Sequence, residues 1–97
     1  MFDAPLDTAQ ERVAAGAALL DAQAPGWRDR IDVDRLSIQS CGRCMLAQLY
    51  GNYARGVKHL GLDANGTTVR NGFNAGPGVS FSELDRAWKA QILTPAR

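Results

Sequence analysis

The sequence has 97 residues, 45% of them hydrophobic and 22% charged, the size and composition of a single soluble globular domain. Two independent cores, a disordered chain and a collagen-like repeat are all excluded. The net charge of +1 conceals an asymmetry, with seven acids and three bases in residues 1–34 (net −4) and three acids and eight bases in residues 35–97 (net +5); the pI near 7.8 is below the value above about 9 common in nucleic-acid-binding domains.

The first twelve residues hold Asp3, Asp7 and Glu11 against one base, Arg12, the reverse of a secretory signal. The longest nearly uncharged apolar stretch, Val13 to Leu20, is far shorter than the about 20 residues that cross a bilayer. A cytoplasmic protein with no membrane partner is expected. Thr8-Ala9-Gln10-Glu11 then fits a capping box, in which hydroxyl and carboxylate satisfy each other's backbone N–H groups. Ala9, Val13, Gly16, Ala17, Leu20 and Ala24 share one helical face before Pro25 and Gly26 end the run, which predicts a helix over 8–23. That face is mostly Ala and Gly, so a neighbouring helix can approach it closely.

Trp27 to Ser40 fits neither helix nor strand period. It reads as an irregular strap with a helical turn near Asp32 to Leu36, anchored by Trp27, Ile31, Leu36 and Ile38. Interleaving of Asp29, Asp32 and Asp34 with Arg28, Arg30 and Arg35 suggests surface ion pairing. From Gly42 to Leu60, the residues Leu46, Ala47, Leu49, Tyr50, Tyr53, Ala54, Val57 and Leu60 gather in one arc, opposite Gln48, Asn52, Arg55, Lys58 and His59. This predicts a continuous central helix over 42–60, with Ser40 as N-cap and Gly61 as C-cap. Gly51 and Gly56 each cost such a helix roughly 1 kcal/mol, which points to close packing or a bend at those positions. Residues 63–78, rich in Gly and Asn, predict a long loop, with a small hairpin at Asn65-Gly66 as the lesser alternative. Ser80-Phe81-Ser82-Glu83 repeats the capping box, and Phe81, Leu84, Trp88 and Ile92 predict a last helix over 81–92. The expected fold is all-α: one domain, residues 1–97, of three main helices around Val13, Leu20, Trp27, Leu36, Leu46, Leu49, Tyr53, Val57, Leu60, Phe73, Leu84 and Trp88.

Cys41-Gly42-Arg43-Cys44 has the spacing of a thiol-exchange motif or half a zinc site. With Cys44 in the first turn of a helix beside Arg43, its thiolate would be favoured. Zinc wants four ligands, and a continuous helix would hold His59, fifteen positions beyond Cys44, roughly 22 Å away. Redox use therefore stands beside a structural role for two small thiols, with no strand ahead of the motif to favour redox. His59 reads as a solvated side chain near a helix C-terminus. No carboxylate pair, nucleophile with a base, or phosphate-binding glycine loop is legible, so no catalytic residue, metal site or cofactor is assigned. A basic patch of Arg43, Arg55, Lys58 and Arg70 beside Tyr50 or Tyr53 would suit nucleic acid, but the helical arc turns both tyrosines inward. Trp27 and Trp88 are candidate interface anchors, since so small a core has difficulty burying two indoles, and Arg55 and Lys58 complete the candidate interface.

Cys41-Gly42-Arg43-Cys44-Met45-Leu46-Ala47-Gln48-Leu49-Tyr50-Gly51-Asn52-Tyr53, Leu60-Gly61-Leu62, Gly72-Phe73-Asn74 and the helix from Leu84 to Trp88 resemble small proteins of actinobacteria and their phages. The resemblance covers roughly residues 27 to 92. It implies no activity or site residue; it implies a mycobacteriophage or actinobacterial origin and a cytoplasmic setting. The function expected is a non-enzymatic interaction module, such as a phage accessory protein binding a host protein or itself, with an exposed apolar patch. The alternatives are a redox or metal-linked sensor using Cys41 and Cys44, and a nucleic-acid accessory protein.

Overall fold

Two capping boxes start the two longest helices of the molecule. In the computed structural model, which describes residues 8–40, 42–63, 66–76 and 78–93, α1 spans Ala9–Gln23. The Glu11 N–H donates to Thr8 Oγ1 at 3.1 Å and the Thr8 N–H donates to Glu11 Oε1 at 3.1 Å. The C-terminal helix, Phe81–Leu93, repeats this through Ser80 and Glu83, at 3.1 Å and 3.0 Å. Both helices match their expected extents.

The small face of α1 lets the C-terminal helix and the segment before it come close. At Gly16 a Cβ would lie 2.1 Å from the Asn71 carbonyl oxygen and 3.0 Å from the Trp88 ring, so only glycine fits. Around that contact Val13, Ala17, Leu20, Leu84 and Trp88 are buried. Trp27 meets Trp88 edge-on, with ring centroids 5.8 Å apart, and Phe73 stacks on Trp88 at 5.5 Å. Edge-to-face and offset pairs of this kind add about 0.5–1.5 kcal/mol beyond the area they bury. Each indole N–H finds an acceptor: Trp27 Nε1 donates to Asp21 Oδ1 at 2.8 Å and Trp88 Nε1 to the Gly72 carbonyl at 2.7 Å.

The strap is irregular, as expected, and Trp27, Ile31, Leu36 and Ile38 are buried in it. Its helix is displaced towards the start: Trp27–Arg30 forms a 3₁₀ turn, whereas Asp32 to Leu36 is a turn made by two weak i→i+3 bonds of 3.2 Å and 3.4 Å. The Asp32 carboxylate serves backbone geometry. Asp32 Oδ1 accepts from the Asp34 N–H, and the Arg30 guanidinium donates to the Leu49 carbonyl at 2.9 Å. The Arg28 ion pair reaches back to Asp21 of α1, at 2.8 Å, so it joins two parts of the acidic N-terminal third.

The continuous central helix is not observed. In its place stand α2, Met45–Tyr50, and α3, Tyr53–His59, packed against each other. Gly51 ends α2 at φ +98°, a backbone setting that costs an L side chain about 1–2 kcal/mol. Asn52 starts α3 anew, its side chain accepting the Arg55 N–H at 2.8 Å. Gly56 then meets Leu46 so closely that a Cβ would lie 2.6 Å from the Leu46 Cβ. Both expected reasons for these glycines are realised: Gly51 makes the bend and Gly56 the close packing. Cys44, and not Ser40, caps α2, with Sγ accepting the Ala47 N–H at 3.4 Å. Gly61 sits at φ +70° just past Leu60, the C-cap of α3. There the Leu62 N–H bonds the Val57 carbonyl and the Gly61 N–H the Lys58 carbonyl, the paired bonds of a Schellman ending.

The Gly/Asn-rich loop contains a short helix, α4, Thr67–Arg70, in place of a hairpin turn at Gly66; Asn65 lies outside the described residues. Asp63 accepts the N–H groups of Gly66 and Thr67. Gly72 at φ +75° closes α4 with the same pair of carbonyl bonds, from Phe73 to Thr68 and from Gly72 to Val69. The C-terminal helix is therefore α5. Among the described residues the fold is all-α, with five helices and a 3₁₀ turn where three main helices were expected. Of the expected core, Tyr53, Val57 and Leu60 are only partly buried. Met45, fully buried, joins it.

Candidate functional site

The side chains singled out in the sequence divide between the core and one open cleft. Trp27 and Trp88, at 1% and 0% exposure, are central core residues and offer nothing to a partner. The expectation of indole anchors is overturned because the two rings bury each other and each N–H is satisfied internally. Leu93, 70% exposed, is the large apolar side chain left at the surface among the described residues, so the expected apolar patch is absent there too.

Cys41 lies outside the described residues. Cys44 is 1% exposed and its sulfur accepts a backbone N–H, a capping role within the core. It borders a small cleft of about 130 Å³ that Ile38, Tyr53, Phe73 and Phe81 also line. Among the described residues no three His, Cys, Asp or Glu side chains gather as a metal site, and no helix is long and apolar enough to cross a membrane.

The break at Gly51 builds the other site. Because α3 turns back beside α2, Tyr50 faces His59 across the corner, ring centroids 4.7 Å apart and planes tilted by 31°. The continuous helix expected from the sequence would have put these side chains on opposite faces. Tyr50, Arg55, Lys58 and His59 now line one open cleft of about 440 Å³. Tyr50 is half-buried, its hydroxyl buried without a hydrogen-bond partner, while Arg55, Lys58 and His59 are exposed. Among the described residues no carboxylate lines the cleft. The expectation that Tyr50 points away from Arg55 and Lys58 is corrected. The unbroken rod that separates His59 from Cys44 is likewise not observed, although His59 is not among the residues lining the Cys44 cleft. Arg43 and Arg70 are not among the cleft residues, so the basic patch of four is reduced to Arg55 and Lys58 with His59.

No family model, no curated protein and no solved structure matches the chain. The cleft is thus read from its own chemistry. Arg55 and Lys58 are legible in the sequence as interface candidates; the helical period turns Tyr50 inward and isolates His59, because the bend that joins them is encoded in a glycine whose conformation that period does not reveal. Asn52, a good N-cap residue directly after Gly51, is the signal that would have found it.

Proposed function

We propose that the protein is a non-enzymatic interaction module of the cytoplasm that engages an acidic partner protein through the cleft formed by Tyr50, Arg55, Lys58 and His59. One observation carries this reading: Arg55 and Lys58 converge on one concave surface, yet among the described residues neither forms an ion pair and no carboxylate stands in the cleft wall. Cations held together without counter-charge attract an anionic surface and steer its approach. The resemblance in sequence makes a host protein of an actinobacterium the partner to look for, and a phage accessory role the setting. The sensor reading finds less support, because the buried Cys44 sulfur is occupied in capping α2.

The test compares proteins cross-linked to the wild-type chain in an actinobacterial lysate with those cross-linked to Arg55→Glu/Lys58→Glu. A partner held by wild type, lost by the charge-reversed variant, and weakened by salt supports the proposal. Identical capture by both chains, with circular dichroism showing both folded, overturns it.

A further inference from the structure

Arg55, Lys58 and His59 occupy positions i, i+3 and i+4 of α3, which puts their Cβ atoms about 5–6 Å apart on one helix face. Like charges at that spacing repel, and among the described residues no acidic side chain in the cleft wall offsets the repulsion. A single carboxylate would neutralise only one of the two formal charges on Arg55 and Lys58. A phosphomonoester carries about −1.5 to −2 charges near neutral pH and three acceptor oxygens. The guanidinium fork of Arg55 can take two of them in parallel and the ammonium of Lys58 the third. The volume of about 440 Å³ lies within the about 300–1,000 Å³ of small-ligand sites.

We infer that the α3 cleft recognises a phosphomonoester, carried on a phosphorylated side chain of the partner protein. This rests on the binding reading above and sharpens it. A nucleic-acid backbone fits less well. It presents one charge per phosphate along a track of cations, and an imidazole covers the Tyr50 ring that would have to stack on bases.

Amide and side-chain NMR titrations of the full chain at constant ionic strength test the inference with four probes: phenyl phosphate, benzoate, inorganic phosphate and a short oligothymidylate. Phenyl phosphate should give saturable shifts at Tyr50, Arg55, Lys58 and His59, at least about tenfold tighter than benzoate. Arg55→Gln or Lys58→Gln should each weaken it by about tenfold with the fold intact. Equal affinity for benzoate overturns the phosphoryl preference and leaves an acidic partner standing. Inorganic phosphate binding as tightly as phenyl phosphate overturns the phosphorylated-side-chain source, and tighter oligothymidylate binding assigns the face to nucleic acid. No saturable shift with any probe also overturns it, while capture with Arg55→Glu/Lys58→Glu decides the binding reading separately.

Discussion

The α1–α5 pair and the α2–α3 corner solve the same packing problem in opposite ways. In each, a helical glycine brings two helices together: Gly16 under Trp88 and the Asn71 carbonyl, Gly56 under Leu46. The first pair is made of long, uninterrupted helices, each begun by a capping box, that bury Val13, Ala17, Leu84 and Trp88 and leave a cleft of about 400 Å³ along their seam. The second is a folded-back pair of six- and seven-residue helices whose outer corner stays open and carries the cations. Helices this short have little stability of their own, so the corner depends on the contacts that fold it back. Chemistry collects where the backbone turns, because the turn is what brings side chains distant along a rod onto one surface.

Substitutions can break or sharpen that contrast. The largest effect is expected from Gly16→Ala, since its Cβ would collide with backbone at 2.1 Å; a loss of at least about 3 kcal/mol in urea unfolding is expected. Gly56→Ala meets a side chain at 2.6 Å and should cost about 2 kcal/mol. The closest contact is the Leu46 Cβ, so Leu46→Gly in the same chain, which removes that atom, should recover part of this as a coupling energy in a double-mutant cycle. Gly51→Ala discriminates by sign. In an unbroken helix it would stabilise by about 1 kcal/mol, whereas at φ +98° it should destabilise by about the same amount. Thr8→Ala and Ser80→Ala should each cost about 1 kcal/mol in thermal unfolding, close to additively, because they cap different helices.

The smallest effect concerns pH. Asp21 accepts from the Trp27 indole and then from Arg28, and these hydrogen bonds hold its carboxyl below the usual carboxylate range. A depressed folded pKa contributes stability above the unfolded value, near 4, that is lost as pH falls through the folded one. The group is exposed, so solvent screening keeps the contribution small. Asp21→Asn should flatten the acid limb of a stability–pH profile below about pH 4, with the combined fluorescence of Trp27 and Trp88 as the readout; an unchanged limb would remove Asp21 from the account. The Ser80 backbone N–H and then its hydroxyl lower Glu83 in the same direction; Ser80→Ala keeps the backbone bond, so Glu83→Gln is the change that should soften that limb.

The site was half legible in the sequence. Arg55 and Lys58 stood out as exposed charge on an amphipathic run, and that exposure is observed. The helical period turns Tyr50 inward and isolates His59 only over an unbroken helix, which the bend at Gly51 removes. The tryptophans misled for another reason. Their size suggested incomplete burial, but the edge-on pairing of the rings and the acceptors Asp21 and Gly72 let the core take both. Cys44 was legible as a small thiol at a helix start, though its capping bond could not be foreseen.

The sequence alone determined the all-α class, the extents of α1 and α5, and the strap anchors, because capping boxes and apolar spacing are local signals satisfied within a few residues. Tertiary structure decided how Gly51 and Gly56 are used, the short helix within the glycine-rich segment, and the cleft at the corner. Glycine is compatible with a helix interior, a left-handed turn or a close contact at similar intrinsic cost, so only the packing partner, Leu46 against Gly56, selects among them.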